Sequence, residues 1–188
     1  MATEGLAQAM ANTRAVLANV KPDQYDLATP CASWDVRALV NHIVGGSHYF
    51  AACVSNGKAP EGANDTDFTQ GDVMAVYDDG IKATLAAFGA PGAMEKMIEL
   101  PFGTFPGAAF MGLATNDQFT HGWDLARATG QDTDLAPELA TQLLEGAKAS
   151  IPDQFRGPEG QAPFAPAQTA GADASPADEL AAFMGRSV

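Results

Sequence analysis

The sequence predicts an all-α protein: a four-helix bundle with a short extended segment and additional C-terminal helices. Long segments carry apolar residues at three- and four-residue steps, Gly and Pro close those segments, and strand-like alternation is confined to one short stretch. With 188 residues, 46% of them hydrophobic, the chain is long enough to bury a core as one domain over 1–188. Residues from about 151 to 188 read as a loop-rich C-terminal extension of that domain.

The first helix is expected from about Thr3 to Val20, because Leu6, Met10, Thr13, Leu17 and Val20 share a face and Pro22 closes the segment. A loop through Tyr25, Thr29, Pro30 and Cys31 leads to Ser33 as the expected N-cap, with Trp34 and Asp35 in the first turn of the second helix, where negative charge is favoured. That helix continues to about Ser55 on an apolar face of Val36, Leu39, Val40, Ile43, Phe50 and Val54, while His42 shares a flank with Leu39, Gly46, Tyr49 and Cys53. Gly57, Pro60, Gly62, Asn64 and Asp65 mark a loop, after which Val73, Tyr77, Ile81, Leu85 and Phe88 define a third helix ending near Gly89 and Pro91.

Met94 to Phe102 is partly alternating and reads as an extended strand, followed by the turn-rich run from Pro101 to Gly107. Pro106 suits the first turn of the fourth helix, which stops at Gly130. A fifth helix is expected from Pro137 to about Ser150, with Leu139, Leu143, Leu144 and Ala147 apolar. Residues 152 to 173, rich in Pro, Gly, Ala and Gln, read as a loop. Ser175-Pro176-Ala177-Asp178 then starts a short helix that packs Leu180, Phe183 and Met184 before Gly185 ends it.

Ten Lys and Arg against 23 Asp and Glu give a formal net charge of -13, and the basic residues are scattered. Without a basic stripe to neutralise phosphates, neither nucleic acid nor an anionic membrane is an expected partner. No apolar run approaches the ~20 residues of a membrane span. Met1-Ala2-Thr3-Glu4 lacks the basic and apolar regions of a signal peptide, so a cytoplasmic location is expected. Cys31 and Cys53 are too few for a disulfide framework and are not spaced as a zinc knuckle. Cys31 precedes a helix start, where the helix dipole lowers a thiol pKa; the competing reading is a small buried packing residue.

The chemistry concentrates in the fourth helix. Its stripe runs Phe110, Ala114, Asp117, His121, Asp124, Ala128, so a carboxylate and an imidazole stand one turn apart where a bundle wants apolar side chains. A carboxylate buried there needs a metal, a partner or trapped water. With His42 from the second helix, Asp117 and His121 form a candidate three-ligand metal site with open coordination positions. The competing reading is a satisfied core histidine beside a solvated carboxylate. His48 points about 240° away from His42 around the helix, at ~100° per residue, and is not expected on the same ion. Trp34 and Trp123 are read as packing anchors, and Asp124 as a group that orients a histidine or an arginine. Arg37 and Arg127 are assigned to surface ion pairs or to a substrate carboxylate.

Thr29-Pro30-Cys31-Ala32-Ser33-Trp34-Asp35-Val36-Arg37, Leu39-Val40-Asn41-His42, Leu100-Pro101-Phe102-Gly103-Thr104, His121-Gly122-Trp123-Asp124-Leu125-Ala126-Arg127-Ala128-Thr129-Gly130 and Asp173-Ala174-Ser175-Pro176 together resemble the actinobacterial metal-binding relatives of mycothiol-dependent maleylpyruvate isomerase, in the DinB/YfiT-like superfamily. The resemblance implies a DinB-like four-helix bundle and a divalent metal held by His42, Asp117 and His121. Asp117 stands where the isomerase has a glutamate, and the isomerase's carboxyl-terminal portion has no counterpart here beyond the fifth helix, the loop and the last helix. The implied function is a metal-dependent enzyme of transferase or isomerase type that uses a low-molecular-weight thiol such as mycothiol. The alternatives are a metal-dependent hydrolase or a noncatalytic metal- or small-ligand-binding bundle. Zinc is the first choice of metal on ligand type, with nickel, iron(II) and manganese also accommodated. The expected partners are a small-molecule thiol and an electrophilic substrate, and a homodimer is compatible with the sequence.

Overall fold

The computed structural model describes residues 3–62, 66–158, 161–162 and 164–188, so Asn64 and Asp65 of the expected loop lie outside the described residues, as do Met1 and Ala2. Among the described residues the order is α1 (Glu4–Leu17), α2 (Val36–Asn56), α3 (Val73–Gly89), β1 (Met97–Leu100), β2 (Gly103–Pro106), α4 (Gly107–Thr129), α5 (Pro137–Ser150) and α6 (Pro176–Phe183). This is the all-α, DinB-like architecture expected. In it α1 packs chiefly on α4 and α2 on α3, while α2 against α4 and α1 against α3 complete the bundle.

Leu6 and Met10 of α1, Leu39, Val40 and Ile43 of α2, Tyr77 and Phe88 of α3, and Phe110, Ala114 and Leu125 of α4 form one buried cluster. The helices approach closely where side chains are smallest. A Cβ on Gly122 of α4 would collide with Thr13 of α1, and one on Gly80 of α3 would collide with Ser47 of α2. Polar groups at these contacts are paired. Thr13 Oγ1 donates to the Gln118 carbonyl at 2.7 Å, and the fully buried Gln118 side chain accepts from Tyr77 Oη at 2.5 Å. Such pairing matters because an unmet polar group in a bundle core costs about 1–3 kcal/mol.

A second cluster lies across the opposite face of α4. Phe119 and Trp123 pack with Leu139 and Leu144 of α5 and with Leu180, Ala181 and Met184 at α6. The Trp123 indole donates to Asp178 Oδ1 at 2.8 Å, pinning the start of α6 to α4. By this contact the C-terminal extension is brought alongside the helix that carries the candidate ligands.

Several expected boundaries need correction. Asp35, not Ser33, caps α2: its carboxylate accepts from the Ala38 amide at 2.8 Å. Residues 31–34 close a turn of their own, with the Trp34 amide donating to the Cys31 carbonyl at 2.9 Å, so Trp34 stays outside the helix. The turn-rich run after Leu100 contains a second strand, antiparallel to β1 with Ile98 opposite Phe105 and Leu100 opposite Gly103. Pro106 ends that strand in an extended conformation (φ -65°, ψ 148°) and is the N-cap of α4, not part of its first turn. α1 stops at Leu17, short of Val20. The fifth and third helices and the Ser175 cap of α6 lie where the sequence placed them.

Candidate metal centre

The seventh residue of α2, His42, faces the middle of α4, and the packing of α2 against α4 brings it to Asp117 and His121. His42 Nε2 lies 3.1 Å from Asp117 Oδ1, and His121 Nε2 lies 3.6 Å from the same oxygen. The three donor atoms all fall within 4.8 Å of one another. Zinc–ligand bonds of ~2.0–2.2 Å at a tetrahedral angle separate ligand atoms by roughly 3.3–3.5 Å, so the spacing and chemistry of this donor set fit a divalent ion. The His42 side chain is 34% exposed and Asp117 25%, which leaves this face of the set open to a small molecule from solvent.

Electrostatics couple the set. Burial favours neutral Asp117, but the hydrogen bond from His42 and the neighbouring imidazoles outweigh it and hold the carboxyl below its ordinary range. Burial likewise disfavours a charged His42, and the Asp117 carboxylate overcomes this, so the His42 pKa is raised.

Behind His121 stands Asp124, one turn further along α4 and completely buried. Its Oδ2 accepts from His121 Nδ1 at 2.9 Å, from Arg186 Nη2 at 2.8 Å and from the Cys31 thiol at 3.2 Å, while Oδ1 accepts from Arg186 Nε at 3.1 Å. Burial alone would push this carboxyl up, yet the hydrogen bonds from His121 and Arg186 and the guanidinium charge bring it down to about 2. An ionised carboxylate only accepts, so His121 donates from Nδ1 to Asp124, and Nε2 on the Asp117 side is the ring atom left available to a metal. This is the orientation a metal-binding histidine needs, and it gives Asp124 the orienting role expected of it, toward a histidine and an arginine together.

Cys31 matches neither of its expected readings. It sits in this cluster with Sγ 3.2 Å from Arg186 Nη2 and 4.0 Å from His121 Nδ1, and burial together with the Asp124 charge pushes its thiol up to about 12. Cys31, His121 and Asp124 form a second close group of donors, on the Nδ1 side of the imidazole, and there the guanidinium of Arg186 supplies the positive charge. Trp34 is also more than a packing anchor, since its ring lies 4.5 Å from that of His42 and 5.4 Å from that of His121. Trp123 remains one. His48 turns to the Val76 carbonyl at 3.0 Å, apart from the donors. Arg37 donates to Thr69 Oγ1 at 2.6 Å and lies near Asp26 and Asp67, and Arg127 is exposed in the last turn of α4.

Sequence reasoning missed Arg186 and the place of Cys31. No periodicity links residue 186 to residue 124; the available signal was Met184-Gly185-Arg186, a helix stop followed by a cation.

Fold and donor set define a helical-bundle protein carrying two histidines and a carboxylate in metal-ligand array. The chain belongs to the family of the mycothiol maleylpyruvate isomerase N-terminal domain, which it matches over residues 6–126. That span includes Cys31, His42, Asp117, His121 and Asp124, and stops before α5. Two uncharacterised proteins of Mycobacterium tuberculosis, from strains CDC 1551 / Oshkosh and H37Rv, are each 41% identical over 174 residues, covering 93% of this chain and 91% of theirs. No solved structure matches the chain.

Proposed function

We propose that this protein is a divalent-metal-dependent enzyme that engages a low-molecular-weight thiol, of which mycothiol is the family's namesake, and directs it at an electrophilic substrate. The observation that carries the reading is the donor set itself: two imidazoles and one carboxylate oxygen at ligand spacing, with the His121 ring oriented by Asp124 so that Nε2 faces the set. A divalent ion held there, zinc by preference, supplies a Lewis acid that acidifies a thiol.

The chain's own groups do the rest. Asp117 contributes the negative charge that offsets the cation. His42 gives up the proton it shares with Asp117, leaving Nε2 as a donor. Trp34 packs at a tilt against both imidazoles, and the exposed side of His42 and Asp117 is where a small molecule can approach. Three protein ligands leave at least one position for a small molecule, as in catalytic sites and unlike closed structural ones.

Cobalt substitution tests this. Titrating the cobalt-loaded chain with mycothiol should produce a sulfur-to-cobalt charge-transfer band that is missing in His121→Ala and kept in Cys31→Ala. Absence of the band at millimolar thiol removes the thiol reading, and its loss in Cys31→Ala shows that the sulfur is the protein's own.

A further inference from the structure

Arg186 is placed by local backbone chemistry. After α6 the chain enters the left-handed region at Gly185 (φ 95°), the Gly185 amide donates to the Ala182 carbonyl at 2.9 Å, and the Arg186 amide donates to the Ala181 carbonyl at 3.0 Å. This pair of bonds is the Schellman arrangement, for which glycine is the favoured residue. A Cβ at Gly185 would also collide with Ala165. The side chain that follows is 15% exposed, ties Nη1 back to the Met184 carbonyl at 3.0 Å, and forks across both oxygens of Asp124. A forked guanidinium fixes a carboxylate in orientation as well as in charge.

We propose that Arg186 is a positioning residue for the metal centre: through its fork on Asp124 it sets the ring orientation of His121 and couples seating of the C-terminal segment to metal affinity. The proposal rests on the metal-binding reading above but concerns a residue outside the matched family span. The chain of contacts is continuous, from Arg186 to Asp124 to His121 Nδ1, and through the ring to Nε2 beside Asp117. Loosening the fork leaves Asp124 held by His121 and the Cys31 thiol alone, so the imidazole gains rotational freedom that metal binding must remove.

Zinc affinity of the full chain, measured by competition with a chromophoric chelator, tests it in Arg186→Gln and Arg186→Lys. Partners that orient a ligand are worth about 10–100-fold in metal affinity. Arg186→Gln should lose about tenfold, and Arg186→Lys, which keeps charge without the fork, should fall between it and the unaltered chain. A folded Arg186→Gln with unchanged affinity overturns the proposal. If that variant does not fold, Arg186→Lys decides, and affinity within twofold of the unaltered chain overturns it. The imidazole signals in 15N NMR give a readout independent of metal: the metal-free chain should show a protected Nδ1–H on His121 whose protection falls in Arg186→Gln and, less far, in Arg186→Lys. Should the unaltered chain take up no zinc, the metal reading fails, while retention or loss of that signal still decides the role of Arg186.

Discussion

Replacing Asp124 by Asn is the sharpest perturbation the structure offers, because it removes one buried charge and changes almost no volume. Its cost can be bracketed. The neutral acid is the closest mimic of the amide, and the gap between the ordinary value of 3.8 and the folded value of about 2 makes neutralising this carboxyl in the folded chain cost about 2 kcal/mol. Asn does worse than the neutral acid, since its NH2 must face donors on Arg186, His121 or Cys31. Removing one partner of a buried ion pair costs about 3–5 kcal/mol, which sets the upper end. About 3 kcal/mol is therefore expected, a fall in Tm of roughly 6–12 °C for a chain of this size. Urea denaturation of the metal-free protein at neutral pH measures it. The stabilising contribution of the lowered pKa is present above 3.8 and lost as pH falls toward 2, so Asp124→Asn should also flatten the acid limb of the stability profile in that window. Adding Arg186→Met to Asp124→Asn should cost less than the two single changes summed, because no uncompensated charge is then buried. A loss below about 1 kcal/mol with an unaltered acid limb would refute the reasoning.

Three further outcomes follow from the same geometry. His121→Ala should abolish stoichiometric zinc uptake while far-UV circular dichroism keeps its helical amplitude, since both apolar clusters are independent of the donors; wholesale unfolding would point to a structural metal instead. His42 has a raised pKa, so its pairing with Asp117 stabilises the metal-free fold fully below 6.5 and that contribution is lost as pH rises through the raised value. Zinc must displace the same proton, so titrations from acid to alkaline should show affinity climbing through that window, and a flat profile would exclude His42 as a ligand. With a formal charge of -13 the protein should not retard duplex DNA in a gel at physiological ionic strength, and salt-sensitive retardation would contradict this.

The helices and the triad could be read in one dimension because each is governed by local rules. The apolar steps of α1 to α4, the Pro137 start of α5 and the Ser175 cap are properties of consecutive residues, and Asp117 and His121 share a face whenever their segment is helical. His42 joined them by the rule that polar groups on the inner face of a bundle must find partners, together with family resemblance. The second strand was hidden because glycine and proline at its ends signal a turn, whereas pairing with β1 settles the matter through bonds to residues several positions away. Ser33 and Asp35 are both good caps by type, and only the turn from Cys31 to Trp34 selected between them. Asp124 behind His121 follows from helical spacing, but the groups that join it there were decided by tertiary structure alone. Cys31, Asp124 and Arg186 come from a loop, a helix and the C-terminal tail, and they meet because α6 docks on the Trp123 face of α4. Periodicity reports which side of an element is buried; it carries no record of which distant charge will neutralise a buried carboxylate, since that depends on how two packed faces are aligned in space.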